Sequence, residues 1–224
     1  MGTLIERVDV APGYRLEDYA EYNYLAPQVA ELEAAAREAV PRLGGRTIWI
    51  VSSTRQGGGV AEGMPRIISL MRQLGLSVEW VVIHSPDPAF FPLTKRLHNQ
   101  LHGMGKGGLG RSDRQLYDAV SDRLADALAN EVGSRDILIV HDPQPLGTGA
   151  RVKKKRGIPA IWRCHIGVDG PTPASEEAWQ FLSADTLAYD RSVFTLPGYV
   201  PPFLSGAATI MTPGIDPLTH KNRE

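Results

Sequence analysis

The chain alternates between short, wholly apolar runs and longer stretches in which apolar residues return every third or fourth position. Thr47-Ile48-Trp49-Ile50-Val51 is a run of the first kind, β-branched and aromatic, and predicts a strand buried on both faces. Ser52 to Gln56 and Gly57-Gly58-Gly59 follow, and then Val60, Met64, Ile67, Ile68, Met71 and Leu74 recur with a helical period. A proline is harmless only in the first turn of a helix, so Pro65 places the start of regular turns at Glu62 or later. Gly75 closes this helix, and Val78 to Ile83 predicts the next buried strand.

The unit then repeats. Leu116, Val120, Leu124 and Leu128 fall every fourth residue and predict an amphipathic helix over Arg114 to Glu131, with Ser112 or Asp113 as N-cap. Ile137 to Val140 reads as a third strand, which Pro143 and Pro145 prevent from continuing. A short basic helix from about Thr148 to Arg156 leads to a fourth strand, Ile158 to Trp162. A helix around Ser175 to Leu187, a short strand at Ser192 to Thr195 and another near Thr209 to Met211 complete the pattern. The rest of the Pro- and Gly-rich stretch from Pro197 to Pro217 reads as irregular. Strands alternating with helices predict an α/β fold: a Rossmann-like parallel sheet with helices on both faces. Residues 1–45, with Tyr14, Tyr19, Tyr22, Tyr24 and a helix from about Pro27 to Val40, read as an appendage packed on that domain.

Composition narrows the function classes. At 224 residues, with 24 Lys and Arg against 25 Asp and Glu, the chain is near neutral and lacks the footprint of a nucleic-acid or anionic-membrane binder. Its basic run, Lys153-Lys154-Lys155-Arg156, is short enough to be a solvated helix face. The single cysteine, Cys164, rules out an internal disulfide and a Cys-rich zinc site. No apolar run approaches the length of a membrane span and no signal-peptide core is present, so a soluble cytoplasmic protein is expected.

In sheets of this type ligands bind beyond the carboxyl ends of the strands. Gly57-Gly58-Gly59, His141-Asp142, and Arg163 with His165 all fall at such ends. The three glycines before a helix suit a phosphate, or simply make a tight turn; no Lys-Ser/Thr follows them, which excludes a nucleoside-triphosphate loop. The literal G-x-G-x-x-G at Gly105 to Gly110 follows a helix rather than a buried strand and reads as a flexible loop. His98 and His102 have metal-ligand spacing but no acidic partner between them, so helix surface or substrate hydrogen bonding is the better reading. Cys164 lies between Arg163 and His165, yet strand alternation turns it the other way, toward the interior. His141, Asp142, Arg163 and His165 are the strongest chemical signals: His and Asp can hold sugar hydroxyls or trade a proton, and Arg can bind an anion. An Asp before a Pro can also do no more than cap a turn.

These residues sit in five motifs that occur in one order. They are Gln56-Gly57-Gly58-Gly59-Val60-Ala61-Glu62; Thr94-Lys95-Arg96-Leu97-His98-Asn99 with Leu101-His102-Gly103; His141-Asp142-Pro143-Gln144-Pro145; Trp162-Arg163-Cys164-His165-Ile166; and Ile215-Asp216-Pro217-Leu218 with Lys221-Asn222. From about Arg46 to Asn222 the chain resembles the glycosyltransferring trehalose synthases, retaining GT-B enzymes of glycosyltransferase family 4, with fungal trehalose phosphorylases as more distant relatives. The resemblance implies the N-terminal, acceptor-side half of a GT-B enzyme over residues 46–224, with the C-terminal donor domain absent from this chain. It implies a reversible reaction between a nucleoside-diphosphate glucose and glucose that gives α,α-trehalose with retention. By position, His165 would lie beside the reacting sugar and Asp142 would bind acceptor hydroxyls, these two being the catalytic candidates. Gly58 and Gly59 would lie against the donor diphosphate or sugar. Lys95, Asn99, His141, Gln144 and Arg163 complete the substrate-binding set. No cofactor and no protein-held metal are implied; the nucleoside-diphosphate glucose is a substrate, and the resemblance leaves room for Mg2+ beside it. The partners expected are glucose or trehalose, a nucleotide sugar held by the second domain, and a further copy of the chain. A non-catalytic sugar-binding or interaction domain is the alternative.

Overall fold

The computed structural model describes residues 2–219. Seven strands form one sheet in the order β1-β3-β2-β4-β5-β6-β7. They are β1 (Ile5–Arg7), β2 (Thr47–Ser52), β3 (Ser77–Ile83), β4 (Ile137–His141), β5 (Ala160–Cys164), β6 (Arg191–Phe194) and β7 (Ala208–Ile210). Among the described residues the α-helices are α1 (Leu16–Ala20), α2 (Ala26–Leu43), α3 (Gly59–Gln73), α4 (Phe90–Leu101), α5 (Arg111–Ala129), α6 (Leu146–Arg156) and α7 (Pro173–Thr186). From β3 to β7 every pairing is parallel, as the alternation of strand and helix predicts. The edge strand β1 is the exception. It pairs antiparallel with β3, Ile5 opposite Ile83, and three residues of half-buried chain carry too little pattern to be read as a strand.

Alternation along β2 divides the interior. Trp49 and Val51 join the larger core with Leu97, Tyr117, Leu124, Leu138, Val140, Trp162 and Leu182, which α4 to α7 cover. Ile48 and Ile50 face the other way, into a smaller core with Met64, Ile68, Val78 and Trp80 under α3. Near-continuous apolar sequence in β2 and β3 is therefore the mark of a strand buried on both faces.

Several boundaries differ from the sequence reading. Helix α3 starts at Gly59 and carries Pro65 inside, one turn deeper than expected, because Gly58 at φ 85° lets the chain turn directly from the loop into the helix. Helix α5 is capped at Gly110, ahead of Ser112, with the Asp113 carboxylate accepting the Gly110 N–H at 2.8 Å. Strand β5 begins at Ala160 and extends to Cys164, since Pro159 has no N–H and contributes only its carbonyl, to Leu138. The stretch from Pro197 to Pro217 holds two 3-10 turns as well as β7, and Leu204 in the second turn is buried in the larger core.

The expectation of a flexible loop at Gly105 to Gly110 also needs revision. The Glu177 carboxylate on α7 accepts the N–H of Gly108 at 2.8 Å and of Leu109 at 3.1 Å, together with the Gln100 side-chain amide at 2.8 Å. A Cβ on Gly107 would stand 2.8 Å from Glu177 Oε2 and would push the carboxylate aside, and Gly108 has φ 115°, a conformation that favours glycine. The glycine-rich segment binds an anion, as such loops do. Here the anion belongs to the chain itself.

Candidate functional site

β3 and β4 flank β2 on opposite sides, and the helices that follow β2 and β4 leave toward opposite faces, α3 to the smaller core and α6 to the larger. The connections thus reverse direction at the carboxyl ends of β2 and β4, the place where doubly wound sheets bind their ligands. The glycine loop leaves β2 at that edge, and the residues that end β4 and β5 lie at the same edge.

The loop after β2 is organised by its own side chains, with Thr54 Oγ1 donating to the Gln56 carbonyl at 2.6 Å and accepting the Gln56 N–H at 3.1 Å. Gly57 and Gly58 have φ 78° and 85°, and nothing lies within 4 Å of where a Cβ on Gly57, Gly58 or Gly59 would be. Gly57 and Gly58 are thus required by backbone conformation and not by crowding. Helix geometry leaves the first-turn N–H groups of α3 without intrahelical carbonyls, and no side chain of the three glycines stands over them.

Asp142 is held from three directions at the end of β4. Its N–H donates to the Arg163 carbonyl at 2.9 Å, its Oδ1 accepts the His165 N–H at 3.0 Å, and its own carbonyl accepts Trp162 Nε1–H at 3.0 Å. Among the described residues it is the one non-glycine at positive φ, 64°. Asp tolerates that conformation better than most residues, and such strain concentrates where a structure over-determines a functional position. Burial raises its carboxyl to about 6, against the opposing pull of the His165 N–H and the Arg163 charge.

His141 Nδ1 lies 2.9 Å from His165 Nε2, with ring centroids 5.1 Å apart and planes 16° from parallel. Burial, reinforced by His165 and Arg163, lowers His141 to about 3; burial and Arg163 lower His165 to about 4. At neutral pH the pair is two uncharged imidazoles beside a carboxylate, a hydrogen-bonding surface suited to hydroxyl groups.

The other predicted residues divide. Arg163 is buried, and its guanidinium donates to the carbonyls of Phe194 at 3.1 Å and Met211 at 2.6 Å, bracing β6 and the segment after β7. Cys164 is buried as alternation requires; its thiol donates to the Ile166 carbonyl, and burial pushes its ionisation well above the usual thiol range. Gln144 Oε1 is buried with no protein partner among the described residues. Lys95 is exposed and Asn99 half-buried on α4. That helix reaches the loop after β5 through His102 Nδ1, 3.1 Å from the Gly167 carbonyl. The His98 and His102 rings meet edge to face with centroids 5.1 Å apart, and burial, then Lys95 and His102, lower His98 to about 4. Among the described residues no group of three or more His, Cys, Asp or Glu is arranged to hold a metal. None of their helices is long and apolar enough to cross a membrane.

Two sets of contacts, made by residues of the motifs, had no signal in the sequence. Asp216 pairs with Arg66 of α3 and accepts the Tyr19 hydroxyl at 3.2 Å, so the segment after β7 ties α1 to the helix that follows the glycine loop. The Lys221-Asn222 part of that motif lies outside the described residues. Trp162 is a core residue whose indole N–H also supports the strained Asp142.

The family model described as trehalose synthase, N-terminal domain, matches residues 50–201. The trehalose synthase of Pyrococcus horikoshii is 38% identical over 212 residues, 94% of this chain and 48% of the relative. That of Rubrobacter xylanophilus is 36% identical over 230 residues, 98% of this chain and 50% of the relative. A trehalose phosphorylase of Pleurotus pulmonarius is 31% identical over 149 residues, 60% and 20% of the two chains. Among solved structures, the α,α-trehalose 6-phosphate synthase of Burkholderia multivorans superposes with a TM-score of 0.51 at 17% identity, over 68% of this chain and 41% of that one. This supports the fold alone. The chain spans about half the length of the trehalose synthases it matches.

Proposed function

The chain belongs to the trehalose synthase family, matching its N-terminal domain, and from that premise we propose that it is the acceptor-binding half of a retaining glycosyltransferase. In this reading the enzyme makes or cleaves trehalose, from a nucleoside-diphosphate glucose and glucose, and this chain is inactive without a donor-binding half. Residues 46–224 form the acceptor-side domain and residues 1–45 the appendage, which also supplies β1 at the sheet edge.

The observation that carries this reading is the contact of His141 with His165 beside the strained Asp142, at the ends of β4 and β5 and on the same edge of the parallel sheet from which the glycine loop leaves β2. His165 faces the reacting sugar, and Asp142 with Gln144 holds acceptor hydroxyls. Gly58 and Gly59 present bare backbone to the donor's diphosphate or sugar, and Lys95 and Asn99 lie on the rim. Arg163 braces the segment after β7 and shapes the site from behind. With the paired imidazoles uncharged, the protein's part is positioning and charge stabilisation. The leaving phosphate takes the proton of the incoming hydroxyl on the face from which it departs. Mg2+ would act with the diphosphate and not through ligands of this half.

The test is trehalose formation from UDP- or ADP-glucose and glucose, with this chain alone and with the C-terminal half of a relative added. None is expected from the chain alone, and turnover on mixing. Robust turnover by the chain alone would overturn the half-enzyme reading. Sugar binding without turnover in either mixture would favour a non-catalytic binding domain.

A further inference from the structure

We propose that His141 is a positioning residue for His165: the contact between its Nδ1 and His165 Nε2, 2.9 Å long, sets the ring orientation and tautomer of His165, leaving His165 Nδ1 to meet a sugar hydroxyl at the open edge of the sheet. This rests on the reading of His165 as a sugar contact, and it removes His141 from the residues that touch the sugar.

The geometry carries it. Strands β4 and β5 pair in parallel with His141 opposite Arg163, so His165, two residues further on, extends past the end of β4. Its backbone is fixed by Asp142 Oδ1 at 3.0 Å. Side-chain rotation is then the freedom left to His165, and the near-parallel ring of His141 removes it. A hydrogen bond between two imidazoles needs one N–H and one lone pair, so a neutral pair holds one proton between the rings and one elsewhere on each ring that donates none to the bridge. If His141 donates, His165 carries its proton on Nδ1 and offers a donor. If His165 donates, its Nδ1 is an acceptor. In both cases the bridge ties what His165 offers to the tautomer of His141, and no proton has to leave the pair.

Two measurements on the 224-residue chain test this. The first is 15N NMR of the histidine rings. A scalar coupling between His141 Nδ1 and His165 Nε2 is expected, with a single tautomer for His165; in His141→Ala the coupling disappears and the tautomers of His165 mix. The second is a sugar titration, with glucose and trehalose as the probes, across a double-mutant cycle. His165→Ala should weaken binding by about tenfold and His141→Ala by several-fold, while the double variant should be no weaker than His165→Ala alone. His141→Asn, whose amide takes the place of Nδ1, should recover most of the His141→Ala loss. Additive losses would show that His141 touches the sugar directly, and would overturn the proposal, as would the absence of the coupling. If the unaltered chain binds neither sugar, the functional reading has failed, and the coupling and tautomer still decide whether His141 sets His165.

Discussion

At the scale of single residues, the chain end of β4 concentrates unfavourable choices: a non-glycine at φ 64°, a carboxyl raised to about 6, and imidazoles lowered to about 3 and 4. Each costs stability that a site-free loop would have no reason to give up. The signs of these shifts make stability depend on pH. Histidines 141, 165 and 98 fall below their ordinary 6.5, so their contribution is complete above pH 6.5 and is lost as the pH drops toward 4. Asp142 is raised from 3.8 to about 6, so its contribution is present below pH 3.8 and lost as the pH rises through 6. Three groups oppose one across this window, and acidification should destabilise the chain. Urea midpoints are expected to be lower at pH 5 than at pH 7, with a smaller gap in the His141→Asn/His165→Asn double variant. Equal midpoints in the unaltered chain would mean that the histidines are not held neutral by the fold.

Among elements, the junction of β2 with α3 shows most directly how composition becomes function. Ser52 accepts Trp80 Nε1–H at 2.9 Å inside the core, and six residues later the chain is exposed glycine. Gly58, at φ 85° and ψ 154°, occupies a backbone region closed to residues with a Cβ, whereas Gly59 opens α3. The neighbours therefore make a paired test. Gly58→Ala should cost about 1–3 kcal/mol of stability, and Gly59→Ala, with open space around its Cβ, should cost far less. Chemical denaturation of both variants checks it; equal costs would mean that the loop adopts another conformation. The loop at Gly105 to Gly110 makes the contrasting case. Its backbone N–H groups meet an anion, the Glu177 carboxylate of the same chain.

For the molecule as a whole, the far edge and the segment beyond it leave apolar side chains uncovered. Leu196, Phe203 and Ile210 are 42, 41 and 41% exposed, and Met211 and Ile215 reach 59 and 81%. Exposed apolar surface of this kind marks a contact face or drives association. Sedimentation over a concentration series is expected to show reversible self-association, reduced in Met211→Ser/Ile215→Ser. A strictly monomeric chain at all concentrations would show that this surface is tolerated in water as it stands. Asp216 lies in the same segment, tied to Arg66 and Tyr19, so one stretch of chain both exposes these side chains and anchors the helix behind the glycine loop.

What sequence alone determined here is whatever depends on local periodicity or on residue type at one position. Strands β2 to β5, the helices between them and the inward turn of Cys164 follow from alternation, helical period and glycine placement. So does the location of His141, Asp142 and His165 at strand ends, since prolines and polar residues must terminate a buried strand. Their resemblance to a known family was legible for the same reason, as short motifs in fixed order. Tertiary structure decided the rest, because it depends on what the chain brings together from afar. No local pattern says that His141 and His165, on different strands, meet at 2.9 Å, or that Arg163 turns to the carbonyls of Phe194 and Met211 instead of to a ligand. Nor does any pattern say that Glu177 closes the glycine loop 69 residues before it. Register between strands and the packing of helices set those distances, and both are properties of the assembled sheet.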